Sequence, residues 1–132
     1  MDGDDWRMGI VTTATVPAVN TAAPHWGGTG TTNFATSQVS TAGTSYTGPI
    51  VLTAEAWALT ATGASQDFAD ISLAQDALGF TNGAWAIVYN NTDANKRAVG
   101  FIELSAGGTL SLVAGSVTIT MHASGTLALS QA

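Results

Sequence analysis

Hydrophobic and polar positions alternate most strictly in Ser116-Val117-Thr118-Ile119-Thr120-Met121. Val117, Ile119 and Met121 take one face; Ser116, Thr118, Thr120 and His122 take the other. Period-two alternation with β-branched residues is the signature of a half-buried strand. Ala123-Ser124-Gly125 then supplies a turn, and Thr126-Leu127-Ala128-Leu129-Ser130 alternates again. Upstream, Trp85-Ala86-Ile87-Val88-Tyr89 groups Trp85, Ile87 and Tyr89. Residues 98–104 set Val99 and Phe101 against Ile102 and Leu104, the pattern of a strand covered on both faces. The polar stretch 90–97 between them reads as a loop and holds two of the three basic residues.

Other segments carry weaker signals. Residues 6–13 alternate Trp6, Met8 and Ile10 against Arg7, Gly9 and Val11, and residues 68–73 place Ala69, Ile71 and Leu73 opposite Phe68, Asp70 and Ser72. Residues 49–62 mix helix-favouring Ala, Leu and Glu with Thr and the period-two pair Ile50 and Leu52, and strand is the favoured reading. One short helical turn is expected over 75–78, before Gly79. Residues 20–47 have little periodicity and many Gly, Ser and Thr. They read as a long surface loop, with a short strand at Gln38-Val39-Ser40. A loop of that length in a small domain is usually functional or contact-making.

Many short strands separated by Gly- and Asn-rich turns predict an all-β chain. The expected form is a single antiparallel β-sandwich or jelly-roll-like domain over 1–132, with an acidic tip at 1–5 and a long contact loop at 20–47. The predicted core is Trp85, Ile87, Phe101, Val117, Ile119, Leu127 and Leu129.

Composition sharpens this picture. The chain has 132 residues, and 23 Ala, 15 Gly, 10 Ser and 20 Thr make up just over half of it. Only 9% of residues are charged, against roughly 25% in ordinary domains. With 45% hydrophobic content, the chain is not of the disordered class. Small outer side chains let neighbouring chains approach closely, and strand edges with few charges are adhesive. Such a surface suits a subunit of a large assembly better than a lone monomer. The net charge of −6 argues against nucleic-acid binding and against docking on an anionic membrane. No stretch approaches the ~18 apolar residues of a membrane span. The start Met1-Asp2-Gly3-Asp4-Asp5 is the reverse of a secretory leader, so synthesis and folding in a cytoplasm are expected.

Candidate chemistry is sparse. There is no cysteine, hence no disulfide, thiol nucleophile or iron–sulfur ligand. The two histidines stand apart in sequence: His122 closes a strand on its polar face, and His25 sits between Pro24 and Trp26. Asp2, Asp4 and Asp5 resemble the start of a calcium loop but lack its remaining ligands, and they read as a solvated acidic tip. Asp67, Asp70 and Asp76 lack metal-site spacing, and Gly27-Gly28-Thr29-Gly30 lacks the Lys-Ser/Thr of a phosphate loop. No catalytic, cofactor-binding or metal-binding residue is therefore expected, and the chain is expected not to be an enzyme. Four tryptophans are more informative. Trp85 is expected in the core and Trp57 in the core or at an interface. Trp26 reads either as a contact anchor or as a cap on its own core. Pro24, His25, Trp26 and Phe34 are accordingly the expected assembly contacts.

Taken in order, several segments resemble a group of small tailed-phage structural proteins. The resemblance runs through Asp5-Trp6-Arg7-Met8-Gly9-Ile10-Val11, Ser40-Thr41-Ala42-Gly43-Thr44-Ser45-Tyr46-Thr47-Gly48 and Asp67-Phe68-Ala69-Asp70-Ile71. It is strongest in Ala84-Trp85-Ala86-Ile87-Val88-Tyr89-Asn90-Asn91-Thr92 and Lys96-Arg97-Ala98-Val99-Gly100-Phe101-Ile102-Glu103-Leu104. It closes at Val117-Thr118-Ile119-Thr120-Met121-His122-Ala123-Ser124-Gly125-Thr126-Leu127, where Met121 takes a place common to aromatics. The resemblance implies a virion component of capsid decoration (cement) type, located in the virion and without cofactors. Its partners would be the major capsid protein and copies of itself. A neck or tail component, or a head-fibre or carbohydrate-binding module, is the alternative.

Overall fold

The computed structural model describes residues 3–60, 63–121 and, as strand backbone, 127–130. Its strands are β1 (Trp6–Val11), β2 (Pro24–His25), β3 (Thr32–Asn33), β4 (Ile50–Val51), β5 (Ala56–Thr60), β6 (Gly63–Asp67), β7 (Ile71–Leu73), β8 (Trp85–Asn90), β9 (Ala98–Glu103), β10 (Val117–Ile119) and β11 (Leu127–Ser130). A single 3₁₀ turn, Phe34–Ser37, is the helical element among the described residues. The expected all-β class with antiparallel sheets is borne out, and the sheets do not close into a barrel. One two-residue pair, β2 with β3, is parallel.

The central sheet has the order β4-β1-β8-β9. Its middle strands pair along their whole length, from Trp6 opposite Asn90 to Val11 opposite Trp85. Because side chains alternate, this register divides β1 and β8 between two cores. Trp6, Met8, Ile10, Ala86 and Val88 belong to the larger core, with Tyr46, Leu52, Phe68, Phe80 and Leu112. Ile71, Leu73, Val117 and Ile119 of the β7–β10 pair line the same core, so it lies between two antiparallel layers. Val11, Ile87 and Tyr89 belong to a smaller core, completed by Trp26 and Phe34.

Of the predicted core, Ile87, Val117 and Ile119 are buried. Trp85 and Phe101 are only partly buried and pack against the smaller core. The expectation that 98–104 is covered on both faces is corrected: β9 is an edge strand, and Val99 is exposed. The side chains of Leu127 and Leu129, and the expected turn at Ala123-Ser124-Gly125, lie outside the described residues. The helical turn expected over 75–78 is instead a tight turn closed by Gly79 N–H donating to Asp76 O, with Asp76 Oδ1 accepting from Leu78 N–H. Asp favours such local side-chain bonding over helix. The strand expected at Gln38-Val39-Ser40 is a short bridge to β1: Thr12 N–H donates to Ser37 O and Val39 N–H donates to Ile10 O.

Candidate assembly surface

The loop expected to present contacts turns its aromatic side chains inward. Phe34 is fully buried, Trp26 is 6% exposed, His25 is buried and Pro24 is half-buried. Trp26 stacks on Tyr89 with ring centroids 5.5 Å apart, and Phe34 meets Phe101 at 5.5 Å. The expectation of an outward contact surface is therefore corrected for His25, Trp26 and Phe34, which are buried in their own domain. The second face of the central sheet would otherwise stand open to water, and burying Trp and Phe against it removes large apolar areas from solvent.

The chain holds this arrangement with backbone and caps. Asn33 caps the 3₁₀ turn, its Oδ1 accepting from Ala35 N–H and Gly27 N–H. Trp26 N–H donates to Lys96 O, tying the loop to the β8–β9 connection. His25 Nδ1 is buried without a hydrogen-bond partner. At the other flank of the loop, the Asp76 carboxylate accepts from the N–H groups of Thr44, Ser45 and Leu78 and from the Thr44 hydroxyl. Those backbone donors, Ser45 foremost, hold its pKa down to about 2.

Within the acidic tip, Asp4 and Asp5 are engaged rather than merely solvated. Arg7 donates to both Asp5 carboxylate oxygens, at 2.8–3.1 Å, and Asn91 Nδ2 donates to one of them at 2.7 Å. The Arg7 hydrogen bond is the main reason that the Asp5 carboxyl lies below its ordinary value. Asp5 N–H donates to Thr92 Oγ1, and Asn90 Nδ2 donates to Asp4. Asn91 and Thr92 thus tie Asp5 to the β8–β9 connection and Asn90 holds Asp4, while the Arg7–Asp5 pair is local to the start of β1. No group of three or more metal-ligating side chains occurs among the described residues, and no described helix is long and apolar enough to cross a membrane.

Exposed apolar side chains include Val16, Val19, Val51, Leu78, Val99 and Val113, and an aromatic joins an aliphatic on the three-stranded sheet β11-β6-β5. Trp57 is 42% exposed and Leu59 is 91% exposed, and Ala56 before them and Ala58 between them are exposed as well. Period two places Glu55, Trp57 and Leu59 on one face. Register sets Trp57 opposite Gln66 and Leu59 opposite Ala64. Glu55 Oε1 accepts from Trp57 Nε1 at 2.7 Å and from Gln66 Nε2 at 2.8 Å. The indole is thereby fixed on the sheet, and the Glu55 carboxylate is turned toward these donors. β5 is an edge strand whose five residues carry no charge. The signal for this site was present in the sequence: Trp57 and Leu59 alternate with alanines, and 56–66 is free of charge.

No family model, curated protein or solved structure matches the chain.

Proposed function

We propose that the chain is a non-enzymatic structural subunit of a tailed-phage virion, a capsid decoration (cement) protein that binds the major capsid protein and further copies of itself. The observation that carries this reading is the outward pair Trp57 and Leu59 on an uncharged edge strand. An exposed aromatic and aliphatic pair on an open edge is a liability for a solitary chain and an asset at an interface. The sequence resemblance supplies the virion context. Stabilisation would come from shallow contacts repeated over a lattice, where each weak contact is reinforced by its neighbours. The contact surface accordingly moves from the 20–47 loop to the β5 ribbon.

The test adds purified protein to phage heads that lack it. A copy number matching the capsid lattice, together with raised heat resistance of the heads, is the expected result. A copy number matching a single ring would assign the chain to the neck or tail. Binding to a glycan array with none to heads would favour a head-fibre module.

A further inference from the structure

We infer that β5 is a self-pairing edge, joining two copies of this chain antiparallel about a two-fold axis beside Ala58. The inference deepens the assembly reading above and rests on it for its biological setting. In that register Ala58 faces Ala58 of the second copy, Trp57 faces Leu59, and Ala56 faces Thr60. Each exposed apolar side chain thus meets its complement on the same face, and the two sheets become one.

Charge and length favour this edge over the two edges of the central sheet. The chain carries a net charge of −6, so two copies repel except where a surface is neutral. β5 is neutral over all five residues, and the carboxylate before it, Glu55, accepts from Trp57 and Gln66. β9, the open edge of the central sheet, contains Glu103 and follows Lys96 and Arg97, which is how edges are ordinarily guarded. β4, the opposite edge, has only two residues. Among the described residues, no strand pairs with the outer side of β5.

The area involved sets the strength. Two Trp side chains at roughly 150–250 Å² each, with two Leu side chains beside them, fall short of the ~1,200 Å² at which specific interfaces become stable. The pair is therefore weak in dilute solution and reinforced when copies sit side by side on a common particle.

The absence of cysteine allows a clean crosslinking test with the full chain. Directly opposed residues of an antiparallel pair have Cα atoms about 4.5–5.5 Å apart, within disulfide reach. Ala58→Cys should form a disulfide-linked dimer under oxidised glutathione. Ala56→Cys, exposed on the same strand but offset from its own copy, should crosslink about tenfold more slowly or less. Adding Leu59→Glu to Ala58→Cys should reduce the crosslinked fraction about tenfold, because it sets a charge into the pairing. Leu59 is almost fully exposed, so that substitution leaves the domain folded, as its melting curve will verify. Equal crosslinking at 56 and 58, no crosslinking at 58, or crosslinking indifferent to Leu59→Glu would overturn the inference. Binding to heads without crosslinking at 58 would overturn the self-pairing alone. Crosslinking at 58 without binding to heads would overturn the assembly reading alone.

Discussion

The indole of Trp26 lies across the backbone of Gly9, in the space that a β-carbon at residue 9 would occupy. Gly9 sits in the middle of β1, where glycine ordinarily weakens a strand. Here its missing side chain admits the ring, which stacks on Tyr89 with an interplanar angle of 7°. An aromatic covering a strand glycine restores the packing that the glycine omits.

Gly9→Ala should therefore destabilise the domain by about 1–3 kcal/mol, the scale of overpacking in a filled core. Trp26→Ala should cost about 3–5 kcal/mol, the scale for removing a buried Trp. Both are read from urea unfolding. Particle binding by the folded fraction of Trp26→Ala should match wild type. A variant that keeps its stability and loses binding would restore Trp26 as an outward anchor.

The smaller core ranks its two phenylalanines. Phe34 is fully buried, whereas Phe101 lies partly exposed on an edge strand. Phe34→Ala should cost about 3–5 kcal/mol, and Phe101→Ala distinctly less. Equal losses on chemical denaturation would mean that β9 is more deeply covered than its exposure indicates.

Tyr46 joins the 20–47 loop to β1 through its hydroxyl, which accepts from Ile10 N–H at 2.9 Å and from Gln38 Nε2 at 3.2 Å. Tyr46→Phe leaves a buried N–H without its partner, a loss of about 1–3 kcal/mol. Amide exchange should report it directly, with faster exchange at Ile10 than at its neighbours in β1.

Acid should loosen the Thr44–Ser45 flank of that loop. The Asp76 carboxyl has a pKa of about 2 in the folded protein and a higher, ordinary value once unfolded. Its contribution is therefore complete above about pH 4 and lost as pH falls toward 2. Asp5 and Asp93 are lowered too and add to the same window. In Asp76→Asn, the melting temperature should fall less steeply between pH 4 and 2 than in wild type. An unchanged slope would remove Asp76 from this role.

Alkali acts on the opposite side of the scale. Burial raises the Tyr89 phenol to about 12. The unfolded chain ionises first, so stability should decline as pH rises above about 10, by up to ~1.4 kcal/mol per pH unit for one such group. Tyr46 is raised by burial as well and contributes in the same direction. Phenolate absorbance should show Tyr89 titrating late, and Tyr89→Phe should flatten the alkaline loss.

Strand periodicity and the all-β class were legible in the sequence by itself, because alternation is a local property. Val117, Thr118 and Ile119 show their burial pattern in three consecutive residues, and the grouping of Trp85, Ile87 and Tyr89 marks the face of β8 that meets the smaller core. The low charge that makes β5 adhesive could be read there too. Only the tertiary structure decided which aromatic is inside. Trp26 follows Pro24 and His25 in an aperiodic stretch and Trp57 alternates with alanines, but neither pattern says which ring the fold covers. Trp26 is buried because Gly9 and Tyr89, far away in the chain, form its seat; Trp57 is partly exposed because it stands on a strand whose residues 56–59 are open to solvent on both faces. The loop at 20–47 lacks periodicity because caps, bridges and ring stacking hold it instead of a ladder. Its packing therefore depends on long-range contacts that a local pattern does not carry.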